Sequence, residues 1–138
     1  MKRFVETDLW DKEKFNSSSS KIKLLTLFVF CKCDCIGVFK VAPMLINAYI
    51  GEKVSEDEIL SIAMKIEKIG PGKYWLSGFC DFQYGNLSEK CMPHRKYIQM
   101  LKNEQLFERV SKGYRKGFKT LQEKEKEKEE ETEKEEYK

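Results

Sequence analysis

The sequence has little histidine, no long apolar run and no glycine-rich phosphate loop. Because His94 is the only histidine, a catalytic site of the Ser-His-Asp or Cys-His kind would have to use it, and no nucleophile motif accompanies it. No stretch approaches the ~20 apolar residues of a membrane-spanning helix. The GPGK stretch at 70–73 lacks the length and spacing of a P-loop. We therefore expect a protein that is not an enzyme, needs no cofactor and does not enter the membrane.

A signal for export is also missing. The first ten residues, MKRFVETDLW, are charged and lack an apolar signal core. We therefore expect a soluble, cytoplasmic protein. Thiols stay reduced in that compartment, and an odd number of cysteines, five, cannot all pair within one chain.

Charge is distributed unevenly along the chain. From Glu123 onward the tail has nine Glu and five Lys, whereas the preceding residues have 21 Lys and Arg against 14 Asp and Glu. Residues 86–122 alone hold nine basic and three acidic residues. A basic domain with one strongly basic segment suggests an anionic partner, nucleic acid before membrane, although a solvated surface would give the same composition.

The composition predicts three segments. Residues 1–110 contain the apolar patterns of one domain, and 111–122 form a basic extension. Residues 123–138 have one apolar residue, Tyr137, and cannot bury enough surface to offset the entropy of ordering. We expect this Lys/Glu tail to be disordered or a frayed helix.

Helices are predicted through most of the first half. Thr7 can cap a short helix over DLWDKEKF, and the last serines of 17–20 can cap the next helix. That helix, KIKLLTLFVFCKC, is apolar nearly all round, as a central buried helix is, although a buried strand is the alternative. The residues at i, i+3, i+4 and i+7 are expected to face the core: Leu24, Leu27, Phe28 and Cys31.

The middle of the chain predicts a short strand and two helices. VFKV follows Gly37 as a strand, and Pro43 can begin a helix over MLINAYI that ends at Gly51. SEDE at 55–58 is a capping-box pattern. The helix behind it is expected to extend at least to Ile66, because apolar residues recur at helical spacing: Ile59, Ile62, Ala63 and Ile66.

A hairpin and a last helix are predicted next. Pro71-Gly72 between two apolar runs suits a type II turn, with Tyr74 and Trp75 on the second strand. We expect one of these two aromatic residues in the core and the other semi-exposed. FCDFQYG reads as a turn or short helix, and Pro93 can begin a helix with Ile98 and Leu101 facing inward. The predicted class is mainly α with a small β-hairpin (α+β), in the order of a winged helix-turn-helix with a charged C-terminal tail.

Several stretches resemble a known family. They are RFVETDLWDKEKF, CDCIGVF, YIGEKVSEDE, KIGPGKYWLSGFCDFQYG, PHRKYIQMLKN and LFERVSKGYRKGF. FQYG at 82–85 and ERVSKGY at 108–114 are the most specific of them. Over residues 3 to about 122 the chain is similar to small phage and prophage proteins that resemble the N-terminal winged-helix domain of DnaD-like replication initiators, the replisome organisers. The resemblance implies DNA contact, self-association and contact with phage or host replication proteins, in the cytoplasm of a bacterial host cell.

Basic residues are the candidate DNA contacts. On the helix after the capping box, Ser61, Lys65 and Lys68 would share the face opposite Ile59 and Ile66. Tyr74 and Trp75 could stack on bases or contact a partner. The full basic set is Lys65, Lys68, Lys73, Arg95, Lys96, Lys102, Arg109, Lys112, Arg115 and Lys116. Such lysines would give salt-sensitive phosphate contacts, whereas the acidic start of the helix argues against tight reading of bases.

A metal site is the less favoured interpretation of the cysteines. The residues that could supply it are Cys31, Cys33, Cys35, Cys91 and His94. Structural zinc sites prefer two to four residues between paired cysteines, so CKCDC has the wrong spacing. We expect Cys31 to be a core thiol, with Cys33 and Cys35 at the exit from the helix.

Two functions follow as hypotheses. The first is a non-enzymatic DNA-binding protein of phage origin linked to replication initiation. The alternative is a protein–protein adaptor of phage origin that oligomerises or binds a host replication or defence protein.

Overall fold

The structure, a computed structural model, describes residues 1–110. Met1–Phe79 form one compact unit, and the described residues from Cys80 onward belong to a second. The predicted class is confirmed at the level of helices combined with a small antiparallel sheet. The predicted basic extension and Lys/Glu tail lie outside the described residues, so the division into three segments stays a prediction.

The chain begins with two short helical segments. A 3-10 turn spans Thr7–Asp11, and helix α1 spans Glu13–Asn16. The prediction of one helix capped by Thr7 was wrong, because Lys12 has an extended backbone (ψ 133°) that separates the two segments. Helix α2, Ser20–Lys32, begins as expected at a serine, since Ser19 Oγ accepts a hydrogen bond from the Ile22 amide at 3.2 Å.

Helix α2 buries a different face from the one predicted. Leu25, Thr26, Val29 and Phe30 are buried, whereas Leu24 and Cys31 are exposed. The reason is that the helix is apolar nearly all round, so that its sequence periodicity does not single out one face.

Strand β1, Val38–Lys40, follows a tight turn at Gly37. Gly37 has φ +89°, and a Cβ there would lie 2.6 Å from the Cβ of Phe79. Only glycine fits both constraints. Helix α3, Pro43–Ile50, then begins at Pro43 and ends at Gly51 in the left-handed conformation, which confirms both predicted boundaries.

Helix α4 is much shorter than predicted. It spans Glu56–Leu60 and starts with the expected capping box at Ser55. The chain then leaves the helix, because Ser61 Oγ donates to the Glu58 carbonyl and the Ala63 amide donates to the side chain of Thr26 at 3.1 Å. The prediction of a helix reaching Ile66 was therefore wrong.

The remaining strands complete an antiparallel sheet. Strand β2, Ile66–Gly70, and strand β3, Lys73–Leu76, form the predicted hairpin, and Gly72 has the positive φ that the turn needs. Strand β3 lies in the middle, in the order β1-β3-β2. It therefore pairs with a strand on each side.

Two helices follow. Helix α5, Phe79–Tyr84, crosses the boundary between the units and confirms the short helix predicted there. Helix α6, Met92–Asn103, has Pro93 in its first turn and buries Ile98 and Leu101, as predicted. Across residues 1–110, none of the helices combines the length and apolar character needed to span a bilayer.

Candidate nucleic-acid interface

The start of α4 is strongly acidic, and its carboxylates are held in place by the fold. Ser55 Oγ accepts from the Glu58 amide, and Glu58 accepts from the Ser55 amide at 3.0 Å. Lys21 Nζ lies 2.8 Å from the Glu58 carboxylate. The hydrogen bond from Lys21, aided by that from the Ser55 backbone, lowers the pKa of Glu58. A phosphate approaching this helix start meets ionised carboxylates.

Glu56 is held in the same way. Its carboxylate lies 2.6 Å from Lys68 Nζ and accepts from the Tyr74 hydroxyl at 3.1 Å. These two hydrogen bonds, that of Lys68 first, lower the pKa of Glu56. Asp57 adds a third acidic side chain in the same turn. The acidic turn therefore offers no attraction for a nucleic-acid backbone.

The basic helix face predicted behind the capping box does not form. Lys65 is exposed just before β2, Lys68 lies within β2, and Lys73 begins β3. Because α4 ends at Leu60, the three lysines lie on and beside the hairpin. Lys68 forms its ion pair with Glu56, which offsets its charge.

Tyr74 and Trp75 are both buried, at 5% and 2% exposure. Consecutive strand residues point to opposite faces, so both faces of β3 are covered at this point. Trp75 Nε1 donates to the Ile36 carbonyl at 3.1 Å. Burial, together with the hydrogen bond to Glu56, raises the pKa of Tyr74 to about 12. The expectation that one ring would be semi-exposed was wrong, and neither ring face is open for stacking on bases.

Helix α6 has a basic exposed face. Ile98 and Leu101 are buried and define the inward side of the helix. Its exposed positions are Met92, Pro93, Arg95, Lys96, Gln99, Lys102 and Asn103. No Asp or Glu occurs between Lys90 and Asn103 in the sequence. The solvent side of α6 therefore combines three cations with two amides and no carboxylate.

Local contacts orient several of these side chains. Arg95 Nε donates to the Glu89 carbonyl at 2.6 Å, and Gln99 donates to the Asn103 side chain at 2.9 Å. Lys102 Nζ lies 5.2 Å from the ring centroid of Phe107. Arg109 is exposed beyond the end of α6, whereas Lys112, Arg115 and Lys116 lie outside the described residues. The described residues thus include four of the seven basic residues of the C-terminal segment that were predicted to contact DNA.

The single histidine takes part in an aromatic cluster at the start of α6. His94 Nδ1 accepts from the Ser88 amide at 3.1 Å. The rings of Tyr84 and Tyr97 stack with centroids 4.3 Å apart, and the His94 ring lies about 6 Å from both. This arrangement gives His94 a packing role in the second unit.

The prediction that Cys31 is a core thiol was wrong, whereas Cys33 and Cys35 lie at the end of α2 as predicted. Cys31 is exposed, Cys33 is buried and Cys35 is half-buried. Burial raises the pKa of the Cys33 thiol to about 11, even though the Arg3 guanidinium beside it acts in the opposite direction. Within residues 1–110, no three His, Cys, Asp or Glu side chains are grouped so that they could hold a metal ion.

Arg3 is a residue that the sequence did not single out. Its guanidinium donates to the carbonyls of Phe30, Cys31, Cys33 and Asp34, where α2 ends, and to Cys33 Sγ. It also lies 4.9 Å from the ring centroid of Phe79. A cation at a helix C-terminus stabilises the unpaired carbonyls there. No local motif marks this role, because the partners lie 27 or more residues away.

Comparison of the chain with known protein families gives no match, and neither does comparison with curated proteins or with solved structures.

Proposed function

We propose that this chain is a non-enzymatic winged-helix protein that binds the phosphate backbone of DNA through the exposed face of α6. The observation that carries the proposal is the charge of that face, which holds Arg95, Lys96 and Lys102 without a carboxylate. Cations and amides on one exposed face suit phosphate contacts, which supply most of the affinity of non-specific nucleic-acid binding.

The order of the elements supports the winged-helix assignment. From α2 to β3 the chain runs helix, strand, helix, helix, strand, strand, and the strands lie in the order β1-β3-β2. In this arrangement α4 takes the place of the recognition helix and the β2–β3 hairpin takes the place of the wing.

The acidic turn of α4 supports binding that does not depend on base sequence. A recognition helix usually meets bases with its N-terminal residues, and here those residues are Glu56, Asp57 and Glu58. Base reading by α4 would bring three carboxylates against phosphates. The proposal therefore assigns α4 no contact with DNA and relies on α6.

The resemblance to replisome organisers supports a biological setting. A DNA-binding winged helix of phage origin fits a step in replication initiation, where a protein contacts DNA and helps to assemble others upon it. The chemistry proposed here, binding without catalysis, is what such a step requires.

The test is fluorescence anisotropy with a labelled DNA duplex at several salt concentrations. The variant Arg95→Glu/Lys96→Glu/Lys102→Glu is compared with a charge-matched control, Lys2→Glu/Lys14→Glu/Lys53→Glu, whose lysines are exposed in the first unit. We expect the α6 variant to bind at least tenfold more weakly. Its slope of log K against log salt should be shallower by about 3, since each phosphate contact contributes roughly 0.9.

The control variant should keep most of the affinity, and duplexes of unrelated sequence should bind equally well. If the wild-type chain binds neither duplex nor single-stranded DNA at low salt, the proposal fails. It also fails if the two variants lose affinity equally, because the effect would then belong to net charge and not to α6.

A further inference from the structure

Helix α3 has an apolar face that the first unit leaves uncovered. Met44, Leu45 and Tyr49 are 84%, 53% and 60% exposed, and Ala48 is exposed among them. Residues 44 and 48 are one helical turn apart, as are 45 and 49, so the four side chains share one face. The helix contains no charged residue. A contiguous exposed apolar face of this kind is typical of an interaction site.

Helix α2 extends this face. The ring of Phe28 lies 5.4 Å from the ring of Tyr49, and Leu24, one turn earlier on α2, is exposed. We call these side chains the α2–α3 surface: Leu24, Phe28, Met44, Leu45, Ala48 and Tyr49. Both helices belong to the first unit, so the surface is formed within one compact body.

The charge that lies against the ring of Tyr49 is positive. Lys32 Nζ lies 5.1 Å from the ring centroid of Tyr49. Within residues 1–110, Lys32 forms no ion pair with a carboxylate. Glu52 and Lys53, which follow the helix, offset each other in charge.

We propose that the α2–α3 surface binds an acidic amphipathic segment of a partner protein. Apolar side chains of the segment would pack on Leu45 and Tyr49, and a carboxylate of the segment would pair with Lys32. Docking of an amphipathic helix by its apolar face is a common mode of peptide recognition, and complementary charge at the border fixes the choice of partner.

Charge also argues against the two other occupants. In a symmetric contact between two copies, the same patch meets itself, which would bring Lys32 of each copy toward Lys32 of the other. A nucleic acid would set phosphates against Met44, Leu45 and Ala48, none of which can donate a side-chain hydrogen bond. An acidic amphipathic protein segment satisfies both the apolar centre and the cationic border.

The test uses two designed fluorescent peptides with the same leucine positions at helical spacing. One carries glutamate at all flanking positions and the other carries lysine. Fluorescence anisotropy should show that the glutamate peptide binds the full chain at least tenfold more tightly than the lysine peptide. Leu45→Ser should weaken the glutamate peptide at least tenfold, whereas Leu60→Ser, a matched change at another exposed leucine of the first unit, should not.

Charge reversal provides the sharper test. Lys32→Glu should abolish the preference for the glutamate peptide, whereas Lys14→Glu should leave the preference unchanged. Circular dichroism and thermal unfolding establish that each variant is folded. Failure of this test leaves the proposed DNA binding by α6 untouched, because none of these residues belongs to α6.

Several results would overturn the inference. Equal binding of the two peptides would show that charge plays no part, and no binding of either would exclude an amphipathic partner. Sedimentation that shows a dimer abolished by Leu45→Ser, without peptide binding, would assign the surface to a second copy. Binding to anionic phospholipid vesicles that Leu45→Ser abolishes, again without peptide binding, would assign it to a membrane.

Discussion

The side chain of Thr26 offers a sharp test of how the first unit holds together. Thr26 is fully buried in α2, where its hydroxyl donates to the Ile22 carbonyl at 2.7 Å and accepts from the Ala63 amide at 3.1 Å. The second hydrogen bond ties α2 to the segment that follows α4. Thr26→Val keeps the shape of the side chain and removes the hydroxyl, so it breaks both hydrogen bonds and leaves the Ala63 amide without its acceptor.

The expected loss of stability is about 2 kcal/mol. A buried backbone donor left without a partner costs roughly 1–3 kcal/mol, and this term applies to the Ala63 amide. The volume change is small, so no cavity term is added. Since domains of this size are stable by only about 5–15 kcal/mol, a loss of this size is easily measured.

Urea unfolding monitored by the fluorescence of the buried Trp75 is the assay, in a Trp10→Phe background that removes the exposed tryptophan. With a slope of about 1–3 kcal/mol per molar urea, the midpoint should fall by about 1 M. Amide hydrogen exchange at Ala63 should become fast in Thr26→Val and stay slow in Thr26→Ser, which keeps the hydroxyl. Unchanged stability together with continued protection of the Ala63 amide would refute the reasoning.

Three further predictions concern single groups. In two variants that keep only Cys31 or only Cys33, with the remaining cysteines changed to serine, Cys31 should react rapidly with a thiol reagent and Cys33 only on unfolding. The reason is that Cys33 is buried and its pKa is raised to about 11, whereas Cys31 is exposed. Comparable reaction rates in the two variants would contradict this placement. Tyr74 has a folded pKa raised to about 12, so its contribution to stability is complete below the ordinary tyrosine value of about 10 and is lost as pH rises toward 12. Alkaline unfolding should therefore shift to higher pH in Tyr74→Phe, and an unshifted profile would show that this group does not control it. Arg3→Met removes the cation from the end of α2 and should lower the unfolding midpoint temperature by several degrees, as a loss of about 1–2 kcal/mol does in a domain of this size; Lys2→Met is the matched control.

Local sequence rules located the element boundaries that depend on neighbouring residues. Ser19, the Ser55–Glu58 capping box, Pro43 and Gly51 were all placed correctly, because each satisfies backbone groups within a few residues. The hairpin at Pro71-Gly72 was found for the same reason. For each of these boundaries, the residues that cause it are adjacent in the sequence, so the sequence is sufficient to predict it.

The failures arose where contacts distant in sequence compete with a local pattern. Ile59, Ile62 and Ile66 fit a helix, but Ile66 pairs with Leu76 in the sheet and the Ala63 amide bonds to Thr26. Periodicity cannot reveal either partner. The helix predicted to reach Ile66 therefore ends at Leu60, and its lysines lie on and beside the hairpin.

The two proposed binding surfaces differed in how far the sequence could predict them. The basic character of α6 could be predicted, because Arg95, Lys96 and Lys102 are close together and Ile98 and Leu101 fix the buried side. The exposure of the apolar face of α3 could not be predicted, because a helix without charged residues is expected to be buried in the core. Only the packing shows that Met44 and Leu45 are left outside.

The contacts of Arg3 have a consequence for the order in which the new chain can fold on the ribosome. Its carbonyl partners at the end of α2 are synthesised soon after it, but its aromatic partner, Phe79, comes 76 residues later. At about 5–20 residues per second, about 4–15 s separate the synthesis of the two. A residue near the start of the first unit thus receives its last contact from the residue that completes that unit.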